Sequence, residues 1–280
     1  CFPVAAMRGA TFNTKLEEQV GEAIAEEAIE AGANLFGGVC VNLPYHPGWG
    51  RAQEVYGEDT FLLGEMGAAL IKGVQKKGVI VCVKHFAFNS MENSRFKVSV
   101  KCSKRTEQEV FLPHFRRCVE AGAGAFMSAY NSYQGELCGQ QDYLLNHVLK
   151  DKWDFDGFVL SDFVWGIKDT VASVNGGLDM EMPITHYYGQ NLLKAVKAGK
   201  VSEDTINRSS LRILRTLLAH QSEIDRNHGK TDYKKHQELA LQCAREGITL
   251  LRNKDHVLPI DCTDKRKKIV VLGYLADCEN

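Results

Sequence analysis

Gly157-Phe158-Val159-Leu160-Ser161-Asp162-Phe163 decides how this chain reads. Phe158, Val159 and Leu160 are apolar with no polar alternation, the pattern of a strand buried on both faces. A carboxylate, Asp162, stands where that strand stops. Two readings are open. Aspartate is a favoured N-cap, so Asp162 is one candidate to start a following helix. Alternatively it is a negative charge at the rim of a sheet, facing whatever binds there. In that case the chemistry is nucleophilic or acid–base, and a partner carboxylate is required.

Outward from this stretch, strand-like runs alternate with helical ones. Lys15 to Ala31 carries Leu16, Val20, Ile24, Ala28 and Ala31 at helical spacing, and Gly32 stops it. Asn34 to Val41 reads as a strand, Leu62 to Val74 as a helix and Val79 to Val83 as a β-branched strand. Thr106 to Ala121 reads as a helix with Thr106 as N-cap and Glu109 completing a capping box. Ala125 to Ala129 is a short buried strand, Tyr143 to Lys150 and Ile167 to Val174 are helical, and Leu178 to Met182 is the last strand of the series. Such alternation predicts an α/β fold with a parallel sheet covered by helices. Polar groups recur just after the strands: Lys84-His85, Tyr130-Asn131, Asp162 and Glu181. Clustering at the C-terminal ends of strands suits the active face of a (β/α) barrel, or the ligand edge of a doubly wound sheet. No Gly-x-Gly-x-x-Gly follows a strand, which argues against a dinucleotide site.

Past Pro183 the character changes. Leu192 to Ala198 is a short helix, and Ser202 caps another running to about Leu218. Residues 221–235 are polar and loop-like, and His236 to Thr249 is helical. Lys265-Arg266-Lys267-Lys268 precedes Ile269-Val270-Val271-Leu272. A solvated approach to a buried strand fits that run better than a nucleic-acid patch does.

The bulk numbers bound the answer. The chain has 280 residues, 44% hydrophobic and 25% charged, so it has material for one large α/β domain or a domain and part of another. A net charge of −1 gives no footing for a polyanion such as nucleic acid. No run approaches the roughly 20 apolar residues of a membrane span. Nine cysteines leave at least one thiol unpaired within the chain, and none has the Cys-x-x-Cys spacing of zinc or redox motifs. Cys40 and Cys82 fall in apolar runs and read as core thiols. The start at Cys1-Phe2-Pro3, without an initiator Met or a leader-like segment, reads as a processed start or a piece of a longer chain.

Several residues carry candidate chemistry. Lys84 and His85 leave a strand on opposite faces unless the strand bends, yet at its end both can reach one pocket, where paired donors suit a sugar. Arg51 and Arg95 lie in long polar loops, where sites form. Each is either a fork for hydroxyls or carboxylates or a structural partner of Glu54, Glu92 or Asp59. Tyr130 is a candidate to hydrogen-bond a catalytic carboxylate or an ordinary interface tyrosine. Asn207-Arg208-Ser209 matches a glycosylation acceptor but lies in a helical pattern.

Taken in order, these segments resemble glycoside hydrolase family 3, the β-glucosidase-like family. The resemblance rests on Phe2-Pro3, Ala10 to Asn13, Gly50-Arg51-Ala52-Gln53-Glu54 with Tyr56 to Asp59, and Lys84-His85-Phe86 with Arg95. Met127 to Asn131, Ser161-Asp162, Gly177 to Pro183 and Arg245 to Asn253 continue it. It implies a (β/α)8-type TIM barrel lacking its first strand, followed by a linker and the start of an α/β sandwich domain. The divisions are 1–220 for the partial barrel, 221–265 for the linker and connecting helix, and 266–280 for the first strand of the second domain. It implies a retaining β-glucosidase with Asp162 as nucleophile and Arg51, Lys84, His85, Arg95 and Tyr130 around the non-reducing sugar. No metal or organic cofactor is needed. The acid/base glutamate of multi-domain members lies past the end of this chain. Glu181 and Glu92, the carboxylates at hand, fit structural roles better. Phe163 replaces the family's usual Trp after the nucleophile, and Trp165 is the candidate substitute platform. A β-xylosidase or exo-β-glucanase is the alternative within the family, and a catalytically incompetent carbohydrate-binding fragment the alternative of another class.

Overall fold

The computed structural model describes residues 1–227, 229–261, 263, 268–273 and 276. Its centre is a four-stranded parallel sheet of β1 (Leu35–Cys40), β2 (Ile80–Phe86), β4 (Ala125–Ser128) and β7 (Phe158–Leu160), in that spatial order. Neighbours in the sheet are neighbours in the series, each crossover carrying a helix, as parallel pairing requires. Three short strands, β3 (Ser99–Val100), β5 (Ser132–Tyr133) and β6 (Glu136–Leu137), form a second sheet in the loops. Among the described residues the main sheet does not close into a barrel. The expected last strand at Leu178–Met182 is only a bridge, Met180 pairing with Leu160. It keeps part of a ladder: Val159 O accepts from the Asp179 and Met180 amides, and Ser161 N donates to Met180 O at 2.9 Å.

Strand alternation sorts two cores. Val39, Val81, Val83, Phe126 and Val159 face the covering helices, with Leu63, Met66, Leu70 and Phe115 packed on them. Ile80, Cys82, Ala125, Met127, Phe158 and Leu160 face the other way, toward Leu35, Met180 and Met182. Burial of these apolar side chains, worth about 1.5–3 kcal/mol for each valine, leucine, isoleucine, phenylalanine or methionine, is what holds the sheet. Cys40 and Cys82 are buried free thiols, as expected.

α1 (Ala5–Gly9) precedes α2 (Thr14–Glu30), and α2 packs on α3 (Thr60–Lys76), the helix between β1 and β2. They touch through Gly73 and Gly21: a Cβ on Gly73 would lie 2.0 Å from Glu18 O. Side chains at that crossing would hold the axes apart. Asn13 caps α2 and Asp59 caps α3.

The expected helix at Thr106–Ala121 starts earlier and is broken. Ser103, not Thr106, is the cap, accepting from Thr106 N at 3.1 Å, and Glu109 pairs outward with Arg105. A turn at α4 (Lys104–Thr106) passes into a wide π-helical turn at Glu107–Phe111, and α5 (Pro113–Glu120) follows. Two causes are visible. Pro113 has no amide hydrogen for the helical ladder, and the buried Glu107 carboxylate draws in the Tyr133 and Tyr143 hydroxyls. The segment Tyr143–Lys152 between β4 and β7 is likewise π-helical.

α6 (Thr170–Asn175) is capped by Asp169 and shorter than the expected Ile167–Val174, and α7 is Gln190–Lys197. α8 (Glu203–Asn227) runs well past Leu218, so 221–227 is helix rather than loop. The reason is a stripe at Ile213, Leu217, His220 and Ile224, one face of a helix. Ile213 and Leu217 back the inner core, and His220 Nδ1 contacts Gly78 O at 3.2 Å. α9 (Tyr233–Gly247) is capped by Asp232. A buried pair ties these parts together: Asp179 accepts from Lys150 and Val159 N, and from Ser209 on α8.

Ile269–Leu272, expected to be a strand, is exposed and pairs with no other strand among the described residues. An isolated strand has no ladder to stabilise it. Lys265-Arg266-Lys267 lies outside the described residues, as does most of the expected second-domain segment.

Candidate active site

A cavity of about 710 Å³ opens at the C-terminal ends of the main strands. Arg51, Glu54, Lys84, His85, Arg95, Tyr130, Asp162 and Phe163 line it, with Phe36, Met127, Leu160 and Met182 as its apolar wall. All six site residues expected from the sequence therefore meet in one place, from four different strand ends.

Asp162 is not a helix N-cap, because the next helix starts at Thr170 under Asp169. Its Oδ1 accepts from Phe163 N at 2.8 Å, and its Oδ2 is buried with no hydrogen-bond partner among the described residues. Burial pushes its pKa up from the ordinary 3.8 to about 6, against the pull of the Phe163 amide, Tyr130, Arg51 and Arg95. The carboxylate is thus ionised at neutral pH but poorly solvated.

Lys84 and His85 both reach the cavity because β2 loses regular register at its end, between Val83 and Phe86. Burial, then Arg51, Lys84 and Arg95, hold His85 well below the usual histidine range, so the ring is neutral. Its Nε2 lies 3.9 Å from Asp162 Oδ2.

The arginines do both things the sequence allowed. Arg51 makes a two-pronged pair with Glu54 at 2.8 and 2.9 Å, and Lys84 Nζ stands 3.6 Å from the same carboxylate. Arg95 donates to Glu92 at 2.5 Å, while Trp49 Nε1 holds the other Glu92 oxygen at 3.0 Å. The Arg95 guanidinium also lies 4.6 Å from the Tyr130 ring centroid and 5.0 Å from that of Phe96. The small sheet explains this placement. β3 pairs with β5, which pins the loop bearing Arg95 beside the one bearing Tyr130.

Tyr130 donates its hydroxyl to Phe163 O at 2.6 Å, fixing the turn that carries Asp162. Burial and the Asp162 charge raise its pKa. Trp165 is 59% exposed and meets Phe96 edge-on at 5.6 Å, extending an aromatic rim from Tyr130 outward. Glu181 is outside the cavity lining, its carboxylate taken up by the amides of His186, Tyr187 and Tyr188.

Two residues escaped the sequence reading. Glu54 joins Arg51 and Lys84 at the cavity wall, a role beyond the simple ion pair foreseen for it. Asn42 stands at the end of β1 and holds the backbone of His85. The signal for Asn42 was the same as for Asp162: a polar residue just past a buried run.

Residues 1–216 match the glycosyl hydrolase family 3 N-terminal domain. The chain is 39% identical over 263 residues to thermostable β-glucosidase B of Acetivibrio thermocellus, covering 93% of this chain and 34% of that protein. It is 34% identical over 284 residues to an exo-α-(1→6)-L-arabinopyranosidase of Bifidobacterium breve, covering 99% of this chain and 37% of that protein. The fold is shared with the Bifidobacterium adolescentis family 3 β-glucosidase at TM-score 0.89 and 35% identity, over 93% of this chain and 38% of that one. It is shared with β-glucosidase 3B of Thermotoga neapolitana, solved with α-D-glucose, at TM-score 0.88 and 34% identity, with the same coverage. The chain spans little more than a third of the length of these relatives. With the sequence match reaching residue 216 and the fold held in common, the chain belongs to glycosyl hydrolase family 3, in its N-terminal domain.

Proposed function

We propose that this chain supplies the sugar-binding and nucleophilic half of a retaining glycosidase acting on terminal, non-reducing β-D-glucosyl residues. The observation that carries the reading is Asp162, a residue of the cavity lining whose carboxylate has one oxygen held by Phe163 N and the other buried with no hydrogen-bond partner among the described residues. Oδ2 attacks the anomeric carbon. Its lone pair forms the new C–O bond as the bond to the aglycone breaks, and water later releases the sugar. Arg51, Lys84 and Arg95 line the same cavity and donate to the sugar hydroxyls, while the Tyr130 oxygen, its proton given to Phe163 O, is left to accept.

A retaining reaction needs a second carboxyl about 5–5.5 Å from the first, protonated when the aglycone leaves. Glu54 is the other carboxylate of the cavity lining, and it is the wrong group. Its hydrogen bonds to Arg51, with Lys84 nearby, hold it below the ordinary glutamate range despite partial burial. An ionised carboxylate has no proton to give. The acid/base is therefore assigned outside the described residues. The sheet is read as an arc of a (β/α)8 barrel, with 1–220 as barrel, 221–265 as linker and 266–280 as the start of a sandwich domain. The names of the β-glucosidase relatives, and the glucose complex of the Thermotoga enzyme, support the choice of glucose.

The test is Asp162→Ala in the natural protein with an aryl β-glucoside. Turnover should vanish, and added azide should restore part of it as the α-glycosyl azide. Activity near wild type would remove Asp162 from the mechanism. Running aryl β-xyloside and α-L-arabinopyranoside alongside ranks the sugars.

A further inference from the structure

We propose that Asn42 locks the His85 ring in one tautomer, with the proton on Nδ1, so that Nε2 is the hydrogen-bond acceptor for a hydroxyl of the bound sugar. The sugar in that statement rests on the function proposed above; the tautomer does not.

His85 N donates to Asn42 Oδ1 at 2.8 Å, and Asn42 Nδ2 donates to His85 O at 2.9 Å. A main-chain N–H only donates and a carbonyl only accepts, so turning the amide over would break both bonds. Oδ1 is therefore fixed as an acceptor, and it lies 3.1 Å from His85 Nδ1. Asn42 is 1% exposed and His85 2%. A bare Nδ1 would set two lone pairs against each other in that buried place, so Nδ1 carries the proton.

A second proton, on Nε2, is opposed from three sides. Arg51 from the loop after β1, Lys84 from the same strand and Arg95 from the loop after β2 all disfavour a cationic ring, as does burial. Asp162, beyond β7, faces Nε2 at 3.9 Å, and Cys40 of β1 is a neutral thiol. Nε2 is left bare beside the cavity. This matters for the balance of donors and acceptors there. Arg51, Lys84 and Arg95 only donate, Glu54 is taken up by Arg51, and Asp162 Oδ2 is needed at the anomeric carbon. A sugar hydroxyl must also donate, and His85 Nε2, like the Tyr130 oxygen whose proton goes to Phe163 O, is a neutral group placed to accept.

The test is a ¹⁵N spectrum of the chain labelled at histidine, with His85 assigned by the signal lost in His85→Gln. The expected result from pH 6 to 8 is a protonated Nδ1 and an unprotonated, downfield Nε2. A proton on Nε2, or averaging between tautomers, overturns the proposal. Asn42→Asp sets a charge against Nδ1, so the ring should take up its second proton at pH 7. In the natural protein kcat/KM for an aryl β-glucoside should then fall about 10- to 100-fold, the cost of turning one buried acceptor into a donor. Part of it should return as pH is raised. If that variant does not fold, Asn42→Ser, too short to hold Nδ1, should give mixed tautomers. A folded Asn42 variant with unchanged ring state and kcat/KM contradicts the role. The expected tautomer without turnover of any glycoside overturns the function and leaves the Asn42 assignment standing.

Discussion

His85 Nε2 stands 3.9 Å from Asp162 Oδ2, and that carboxylate oxygen has no hydrogen bond among the described residues. Two acceptors facing each other in a buried wall are unfavourable unless a donor stands between them. A bound sugar relieves both, one hydroxyl donating to His85 Nε2 while the electron-poor anomeric carbon meets Asp162 Oδ2. The arrangement costs stability in the free protein and is retained at the candidate site, a trade expected where function and folding compete.

That cost has a sign and a pH window. Asp162 is raised by burial from 3.8 unfolded to about 6 folded, so the folded state holds the proton more tightly. The stability is present below pH 3.8 and lost as pH rises through 6. Asp162→Asn, neutral at every pH, should stabilise the chain at pH 7 by about 2–3 kcal/mol at most. At pH 4 the gain should largely vanish. Denaturant unfolding at the two pH values checks this, and equal gains at both would contradict it. For the same reason kcat/KM should fall as pH drops below about 6, as the carboxylate of the free enzyme protonates.

Glu54 is expected to act by holding Arg51 and Lys84 rather than by chemistry. Glu54→Gln removes the counter-charge and loosens both cations, so KM should rise about tenfold with kcat changed less. Collapse of kcat with KM unchanged would make Glu54 the acid/base and displace the present assignment.

Much of this architecture was legible in the sequence. Phe158–Leu160 and the strand at Ile80 stood out because buried parallel strands are continuous apolar runs, and the polar groups at their ends marked the cavity. The misses have physical causes. Helix α8 was cut short at Leu218 because its last turns are polar in composition, although Ile213, Leu217 and Ile224 continue the packed stripe. The cap at Ser103 was missed because the π-helical turn, set by Glu107 meeting two distant tyrosines, has no local signature. Asn42 was missed because its partner is 43 positions away. Glu54 and Glu92 were among the partners open to Arg51 and Arg95 in the sequence, but which pairs form, and that both arginines meet at one cavity, needed the fold.

The buried Lys150–Asp179 pair, 2.9 Å apart, should be a sensitive point of the fold. Asp179→Ala strands the Lys150 charge and frees Val159 N and Ser209, and should cost about 3–5 kcal/mol. Lys150→Met in the same background should recover part of it. Independent, additive losses in a double-mutant cycle would contradict the coupling.

Gly73→Ala reverses a usual rule. Alanine is normally the better helix former by about 1 kcal/mol. Here its Cβ would lie 2.0 Å from Glu18 O, where α3 crosses α2. The substitution should therefore destabilise by about 1–3 kcal/mol as the helices part. A raised melting temperature would show that the crossing is looser than described.

The central claim is that Asp162 carries the sugar. Its most direct test is trapping in the natural protein with a 2-deoxy-2-fluoro-β-D-glucoside bearing a good leaving group. Fluorine at C2 opposes the positive charge of the transition state and slows release of the covalent intermediate. Digestion and mass spectrometry should find the fluorosugar as an ester on the peptide containing Asp162. Label on another carboxylate, or steady turnover with that peptide unmodified, would contradict the account.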